Sequence, residues 1–85
     1  MIWKVVITGP ARRDLARLDR QSAARIVDAL RRLATTGYGD VRHLAGQTGE
    51  LRLRVGGWRV RFVYDHANQA VEVRRILPRG RAYRD

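Results

Sequence analysis

Residues 51–64 read LRLRVGGWRVRFVY, in which two runs of alternating apolar and charged residues flank a Gly-Gly pair. This pattern predicts a β-hairpin with a two-residue turn, whose register places Arg54 opposite Arg59. On the same face of the hairpin, Arg52 then lies opposite Arg61. Like charges directly opposite each other destabilise a sheet, so two such pairs side by side indicate a site that holds a polyanion.

The chain as a whole is strongly basic. It holds 18 Lys and Arg residues against eight Asp and Glu residues, a formal net charge of +10 in 85 residues, and every cation except Lys4 is an arginine. The planar guanidinium matches a phosphate with two parallel hydrogen bonds and stays protonated at neutral pH. A domain this basic is expected to bind nucleic acid, an anionic membrane surface or an acidic protein.

Composition limits the other possibilities. A chain of 85 residues with 45% hydrophobic residues can form one modest core, so we expect a single domain over residues 1–85. Without cysteine there is no disulfide framework or thiolate metal site, and His43 and His66 have no second ligand at metal-binding spacing. No apolar run approaches the roughly 18 residues of a membrane span, and the first residues do not read as a signal peptide. We therefore expect a cytoplasmic protein with no metal, no cofactor and no membrane partner.

Outside the hairpin, hydrophobic spacing predicts two more strands and two helices. Residues 2–7 form a β-branched strand that ends at a Thr-Gly-Pro break, where the first helix begins. A second helix is expected to begin at an N-cap formed by Asp19 or Ser22. Residues 70–77 predict the last strand, whose inward face requires a bulge near residues 74–75. This order predicts an α+β fold, strand–helix–helix–three strands, with the helical hairpin packed on one face of a small antiparallel sheet.

The hairpin and its flanking segments resemble a known family. Residues 51–64 are similar to the R-L-R-V-G-x-[YW]-R-V-x-[YF] core of toxins of the RelE/ParE superfamily. Residues 11–19, ARRDLARLD, resemble the family's A-x-K-D-L-x-K-L helix, and residues 76–83, ILPRGRAY, resemble its I-x-x-R-x-x-x-Y tail. The resemblance covers nearly the whole chain at matching spacings and implies a RelE-like toxin domain.

The resemblance implies the toxin of a type II toxin–antitoxin system. RelE-type members are endoribonucleases (mRNA interferases) that cut messenger RNA in the ribosomal A site without a metal, because the ribose 2′-OH attacks the adjacent phosphorus. ParE-type members share the fold and inhibit DNA gyrase, which stays open as an alternative beside a catalytically weak basic RNA-binding module. We expect the RelE-type activity, messenger RNA on the ribosome as target and an acidic, RelB-like cognate antitoxin as partner. The toxin is then a monomer when free and part of a hetero-oligomer when bound to antitoxin.

Position by position, the resemblance also implies the site residues. Relatives often carry lysines at the positions of Arg52 and Arg54, and arginine is a poor general base because its pKa lies above about 12. Tyr83 is therefore the better candidate for the base. Additional RNA contacts are expected from Arg61 and Arg81. The implied catalytic set is Arg52, Arg54, Arg59, Arg79 and Tyr83.

A second interpretation of the charged residues remains open. Arginines on one face of an amphipathic strand are commonly a solvated surface, and the two facing pairs of the hairpin favour binding over that reading. For the helices we expect solvent-facing side chains. Tyr83 stands in a polar tail, where function and loose packing are equally compatible with the sequence. The helical arginines concerned are Arg12, Arg13, Arg17, Arg31 and Arg32.

Overall fold

The hairpin forms the centre of a mixed β-sheet. A computed structural model of the chain describes residues 2–43 and 49–80, and within these ranges it contains two helices and five strands. In chain order they are β1 (Lys4–Ile7), α1 (Gly9–Ala16), α2 (Arg20–Thr36), β2 (Val41–His43), β3 (Glu50–Val55), β4 (Trp58–Asp65) and β5 (Ala70–Pro78). The strands lie side by side in the order β1-β5-β4-β3-β2.

The α+β class and the order of elements are confirmed, but the sheet is not wholly antiparallel. The strand β1 runs parallel to β5, whereas the other neighbouring strands are antiparallel. Alternation of side chains identifies a strand without giving its direction, which here depends on the path through the helices. Between α2 and the hairpin, where no strand was predicted, the chain also forms the short strand β2, whose three residues are too few to show a period in sequence.

The predicted register of the hairpin is confirmed. Arg54 pairs with Arg59, and Arg52 pairs with Arg61. The turn needs a glycine because Gly56 has a φ of 59°, a backbone conformation that residues with a Cβ rarely adopt. The two like-charge pairs therefore follow directly from the turn.

The predicted bulge in β5 is confirmed as well. Pairing with β4 passes from Arg75 to Val73, so Arg74 is the extra residue of the bulge. The bulge restores the phase of the strand, because both Val73 and Ile76 are then buried in the core.

The core lies between α2 and one face of the sheet. The helix α2 begins after Asp19, one of the two predicted N-caps, whose carboxylate accepts a hydrogen bond of 3.0 Å from the amide of Ser22. It ends at Gly37, whose φ of 80° lies in the left-handed region. No helix within the described ranges is long and apolar enough to cross a membrane. The largest fully buried side chains include Phe62, Ile26, Leu30, Leu53 and Ile76.

A buried carboxylate attaches α1 to the bulged strand. Asp14 is only 6% exposed and receives two hydrogen bonds from the guanidinium of Arg75, at 2.8 and 3.1 Å. The amide of Ile76 donates a third, at 2.9 Å. Burial raises the pKa of Asp14, but the hydrogen bonds from Arg75 and Ile76 and the charges of Arg75 and Arg17 outweigh it, so the pKa lies below its usual range. The bulge thus presents both a cation and a backbone donor to α1.

We expect Asp14→Asn to destabilise the fold by about 1.5–3 kcal/mol at neutral pH, since it weakens hydrogen bonds to a charged group. Because the folded pKa is lowered, Asp14 contributes stability above its unfolded pKa of about 3.9, and this contribution disappears as the pH falls through the folded value. Urea unfolding of both proteins from pH 7 to pH 3 measures the difference, which should shrink on acidification. Asp28→Asn, on an exposed position of α2, is the matched control. A constant difference across this range would contradict the assignment.

Candidate active site

Five arginines line one cavity of about 200 Å³ on the sheet. They lie on β2, β3 and β4 and directly after β5, so four neighbouring strands supply or position the cations. The hairpin register brings the central ones together, because alternate residues of β3 and β4 bury their apolar side chains against α2 and turn the arginines to the other face. We call this site the arginine cavity; it is lined by Asp40, Arg42, Arg52, Arg54, Arg59 and Arg79.

Arg59 is the most deeply placed cation of the arginine cavity. Although it lies on the charged face of the hairpin, the residue is only 5% exposed. One guanidinium nitrogen, Nη1, donates to the carbonyl oxygens of Gly56 at 3.0 Å and Trp58 at 2.9 Å. Among the described residues no carboxylate forms an ion pair with Arg59. Burying a cation without an anionic partner costs free energy, so this arrangement favours an anionic ligand.

The only carboxylate that the described residues contribute to the arginine cavity comes from Asp40. Its Oδ2 lies 2.7 Å from Nε of Arg54, and its backbone carbonyl accepts a hydrogen bond of 2.9 Å from the amide of Arg54. On the opposite side, the amide of Arg79 donates to the carbonyl of Gly57 at 3.0 Å, which fixes Arg79 beside the hairpin turn. Backbone contacts therefore hold both rims of the cavity.

Arg61 lies outside the arginine cavity. Its Nε is 2.6 Å from Oε1 of Glu50, and both side chains are largely buried. Arg74 approaches the same carboxylate, 3.7 Å from Oε2. The charge of the Arg52–Arg61 pair is thus balanced by Glu50. Glu50 precedes Arg52 by two residues and lies on the same face of β3, so its role as a counter-ion was predictable from this spacing.

The structure brings together four of the five implied catalytic positions. Arg52, Arg54, Arg59 and Arg79 surround one cavity, while Tyr83 and the expected RNA contact Arg81 lie outside the described residues. The sequence analysis missed two lining residues, Asp40 and Arg42, because no strand was predicted between the second helix and the hairpin. In β2, Arg42 pairs with Arg52. The only signal in sequence was the three-residue alternation of β2, which is too short to indicate a strand. No group of three His, Cys, Asp or Glu side chains in the described part of the chain is placed to hold a metal ion.

Comparison with known families decides the relationship. The chain matches the family model "ParE toxin of type II toxin-antitoxin system, parDE" over residues 5–83. This chain belongs to the RelE/ParE toxin superfamily. It is therefore the toxin of a type II toxin–antitoxin system, as the resemblance implies. None of the curated proteins matches the chain significantly.

Similar solved structures come from the RelE branch of the superfamily. The RelBE2 toxin–antitoxin complex of Mycobacterium tuberculosis is 26% identical with a TM-score of 0.81, covering 93% of this chain and 94% of that chain. The archaeal RelE–RelB complex from Pyrococcus horikoshii OT3 is 23% identical with a TM-score of 0.78, covering 95% and 99%. The RelB–RelE complex from Methanococcus jannaschii is 18% identical with a TM-score of 0.74, covering 93% and 95%. The two archaeal likenesses show the fold alone.

We expect sulfate, as a phosphate analogue, to stabilise the toxin through the arginine cavity. At matched ionic strength, replacing chloride by sulfate should raise Tm by about 3–6 °C, since 1 kcal/mol of ligand binding shifts Tm of a domain this size by about 4–8 °C. Arg79→Ala should remove most of this rise without disturbing the fold, because Arg79 is exposed and its backbone hydrogen bond to Gly57 does not use the side chain. Arg32→Ala, an exposed position of α2, is the charge-matched control and shares only the general salting effect of sulfate. Equal rises in both variants would show that sulfate does not use the cavity.

Proposed function

We propose that this toxin is a RelE-type endoribonuclease that binds messenger RNA in the ribosomal A site and cleaves it without a metal. The observation that carries the proposal is the arginine cavity, which five arginines line and whose most buried cation, Arg59, has no carboxylate partner in the described part of the chain. Such a site suits a group that gains negative charge during the reaction. A phosphodiester gains such charge on its non-bridging oxygens when the neighbouring ribose 2′-OH attacks its phosphorus.

The proposed reaction is an intramolecular transfer of the phosphoryl group. The 2′-oxygen forms a bond to the adjacent phosphorus, the bond from phosphorus to the 5′-oxygen breaks, and the products carry a 2′,3′-cyclic phosphate and a 5′-OH. Guanidinium groups placed in advance around the phosphorus stabilise the charge that develops on its non-bridging oxygens. In this proposal Arg59 and Arg54 hold that phosphate from the hairpin, with Arg52 and Arg79 on either side.

Proton transfer requires groups other than arginine. A guanidinium does not release its proton at neutral pH, so the cavity arginines act as cations and hydrogen-bond donors. We assign proton transfer to Tyr83, following the resemblance of the C-terminal tail. Arg81 is proposed to contact the RNA backbone, and Arg61 is proposed to contribute least to RNA affinity because Glu50 already neutralises it.

The proposed regulatory partner is an acidic, RelB-like antitoxin. The three similar structures are complexes of RelE with RelB, and a net charge of +10 favours association with an acidic chain. We propose that the toxin is a monomer when free and forms a hetero-oligomer when a disordered antitoxin segment folds onto it.

A second function, inhibition of DNA gyrase, is favoured by one specific observation. The family model that matches residues 5–83 describes ParE toxins, which share this fold. Arginine in place of lysine at positions 52 and 54 points the same way. A gyrase inhibitor would use the basic surface for binding without a reacting group.

Arg79→Ala separates the nuclease from a general basic binder. Loss of one bidentate phosphate contact removes about 1.5–3 kcal/mol, so cleavage should fall by about one to two orders of magnitude. Primer extension on a translated message locates and quantifies the cuts, beside a supercoiling assay with gyrase. Arg32→Ala should cut like the wild type. Intact message together with blocked supercoiling in the wild type would establish the ParE-type function instead.

Tyr83→Phe tests the assignment of proton transfer. The variant removes one oxygen, and general acid–base groups typically contribute about 10²–10⁴-fold, so cleavage should fall by that factor. Binding to programmed ribosomes should change little, because the aromatic ring is kept. The same variant of a gyrase inhibitor would lose at most one interface hydrogen bond, about 0.5–1.5 kcal/mol, and should still inhibit. Cleavage that survives Tyr83→Phe would remove this residue from the catalytic set.

A further inference from the structure

Asp40 is an unexpected component of a site for a polyanion. Among the described residues it is the only carboxylate that lines the arginine cavity, beside five arginines. Its Oδ2 is 2.7 Å from Nε of Arg54, the only hydrogen-bond or ion-pair partner of this carboxylate in the described ranges. The second oxygen, Oδ1, is therefore available to accept a proton or a hydrogen bond from a ligand in the cavity.

A structural role does not explain this carboxylate well. The side chain of Asp40 is 39% exposed and that of Arg54 is 61% exposed, and ion pairs this accessible contribute little to stability. The backbone contact between the two residues, from the Arg54 amide to the Asp40 carbonyl, does not depend on the side chain. A negative charge in the cavity also opposes the binding of phosphate. A site whose only task is to hold a polyanion is better without it.

We propose that Asp40 is the general base that accepts the proton of the attacking 2′-OH. This inference rests on the proposed nuclease function and supplies the proton acceptor that arginines cannot provide. Arg54 then has two tasks, since its guanidinium orients the carboxylate through Nε and offers its remaining N–H groups to the scissile phosphate. Base and phosphate are thereby held side by side by one planar group.

The step balances with two proton transfers. The 2′-OH proton moves to the carboxylate of Asp40 as the 2′-oxygen forms its bond to phosphorus. The 5′-oxygen leaves with the electron pair of the broken bond and takes up a proton from the hydroxyl of Tyr83. Exchange with water afterwards returns Asp40 to the carboxylate and Tyr83 to the phenol. Tyr83 thus acts as the general acid, and Asp40 takes the role of base, for which Tyr83 was the better candidate from sequence because arginine is a poor base.

Asp40→Asn tests the inference, because a base and a competing anion predict opposite effects. The amide keeps the size of the side chain and an oxygen that can accept from Arg54, but it cannot take up a proton at neutral pH. We expect cleavage of a translated message to fall by about 10²–10⁴-fold. Affinity for programmed ribosomes that carry a 2′-deoxy nucleotide at the cut position should stay equal or rise by up to about tenfold, since a like charge has been removed.

Two further variants complete the test. Asp28→Asn changes the net charge equally at an exposed position of α2 and should leave cleavage unchanged. Asp40→Glu restores a carboxylate with one more methylene, and it should cleave at least about tenfold faster than Asp40→Asn. A purely structural requirement for the side chain does not predict this recovery. This variant also tests the role of the carboxylate if Asp40→Asn fails to fold by circular dichroism.

The outcomes distinguish this inference from the nuclease proposal. Unchanged or increased cleavage by Asp40→Asn overturns the base and makes Asp40 a competitor for the phosphate. Parallel loss of cleavage and of binding to the 2′-deoxy message also overturns it, because the side chain then serves binding. If the wild type and Asp28→Asn fail to cut any translated message, the proposed function itself has failed.

Discussion

The register of the β3–β4 hairpin is the constraint on which the rest of the structure depends. A two-residue turn at Gly56 leaves no freedom in pairing, so Arg54 must lie opposite Arg59 and Arg52 opposite Arg61. A shift by one residue would turn the arginines into the core and the apolar side chains to solvent. Burial of Leu53 and the other inward residues against α2 therefore also holds the cations together on the opposite face.

The protein balances only part of this repulsion. One pair is compensated by Glu50, which is 2.6 Å from Arg61. In the other pair, Arg54 forms an ion pair with Asp40 at the surface, and the buried Arg59 donates hydrogen bonds to backbone carbonyl oxygens. Further from the hairpin, Asp14 is fully used by Arg75 and Ile76 to attach α1. Carboxylates thus complete the framework around the cavity, and among the described residues none of them pairs with the buried Arg59.

The sequence predicted those parts of the fold that local rules determine. The turn chemistry predicted the hairpin register, and the phase of β5 predicted a bulge near residues 74–75, which the structure places at Arg74. Cap preferences limited the start of α2 to Asp19 or Ser22, and the structure has Asp19. The parallel direction of β1 was not predictable, since it arises from contacts between the two ends of the chain. The three residues of β2 were too few for a periodic signal.

The candidate site was predictable to the extent that it lies on the hairpin. Arg52, Arg54 and Arg59 follow from alternation and register, and the resemblance of the C-terminal tail added Arg79. Asp40 and Arg42 were missed because Arg42 lies on the short strand β2 and Asp40 directly before it. The burial of Arg59 was missed because strand alternation distinguishes the two faces of a sheet but not how deeply a polar side chain lies.

The most direct test of the central claim is to observe the cavity arginines while a phosphodiester binds. An uncleavable 2′-deoxy dinucleotide can be titrated into the toxin while the assigned ¹⁵Nε–¹H resonances of its arginines are followed by NMR. We predict saturable shifts of Arg54 and Arg59, with those of Arg32 unchanged. Shifts confined to the helical arginines, or equal shifts of all arginines that do not saturate, would contradict the arginine cavity as the site of the scissile phosphate.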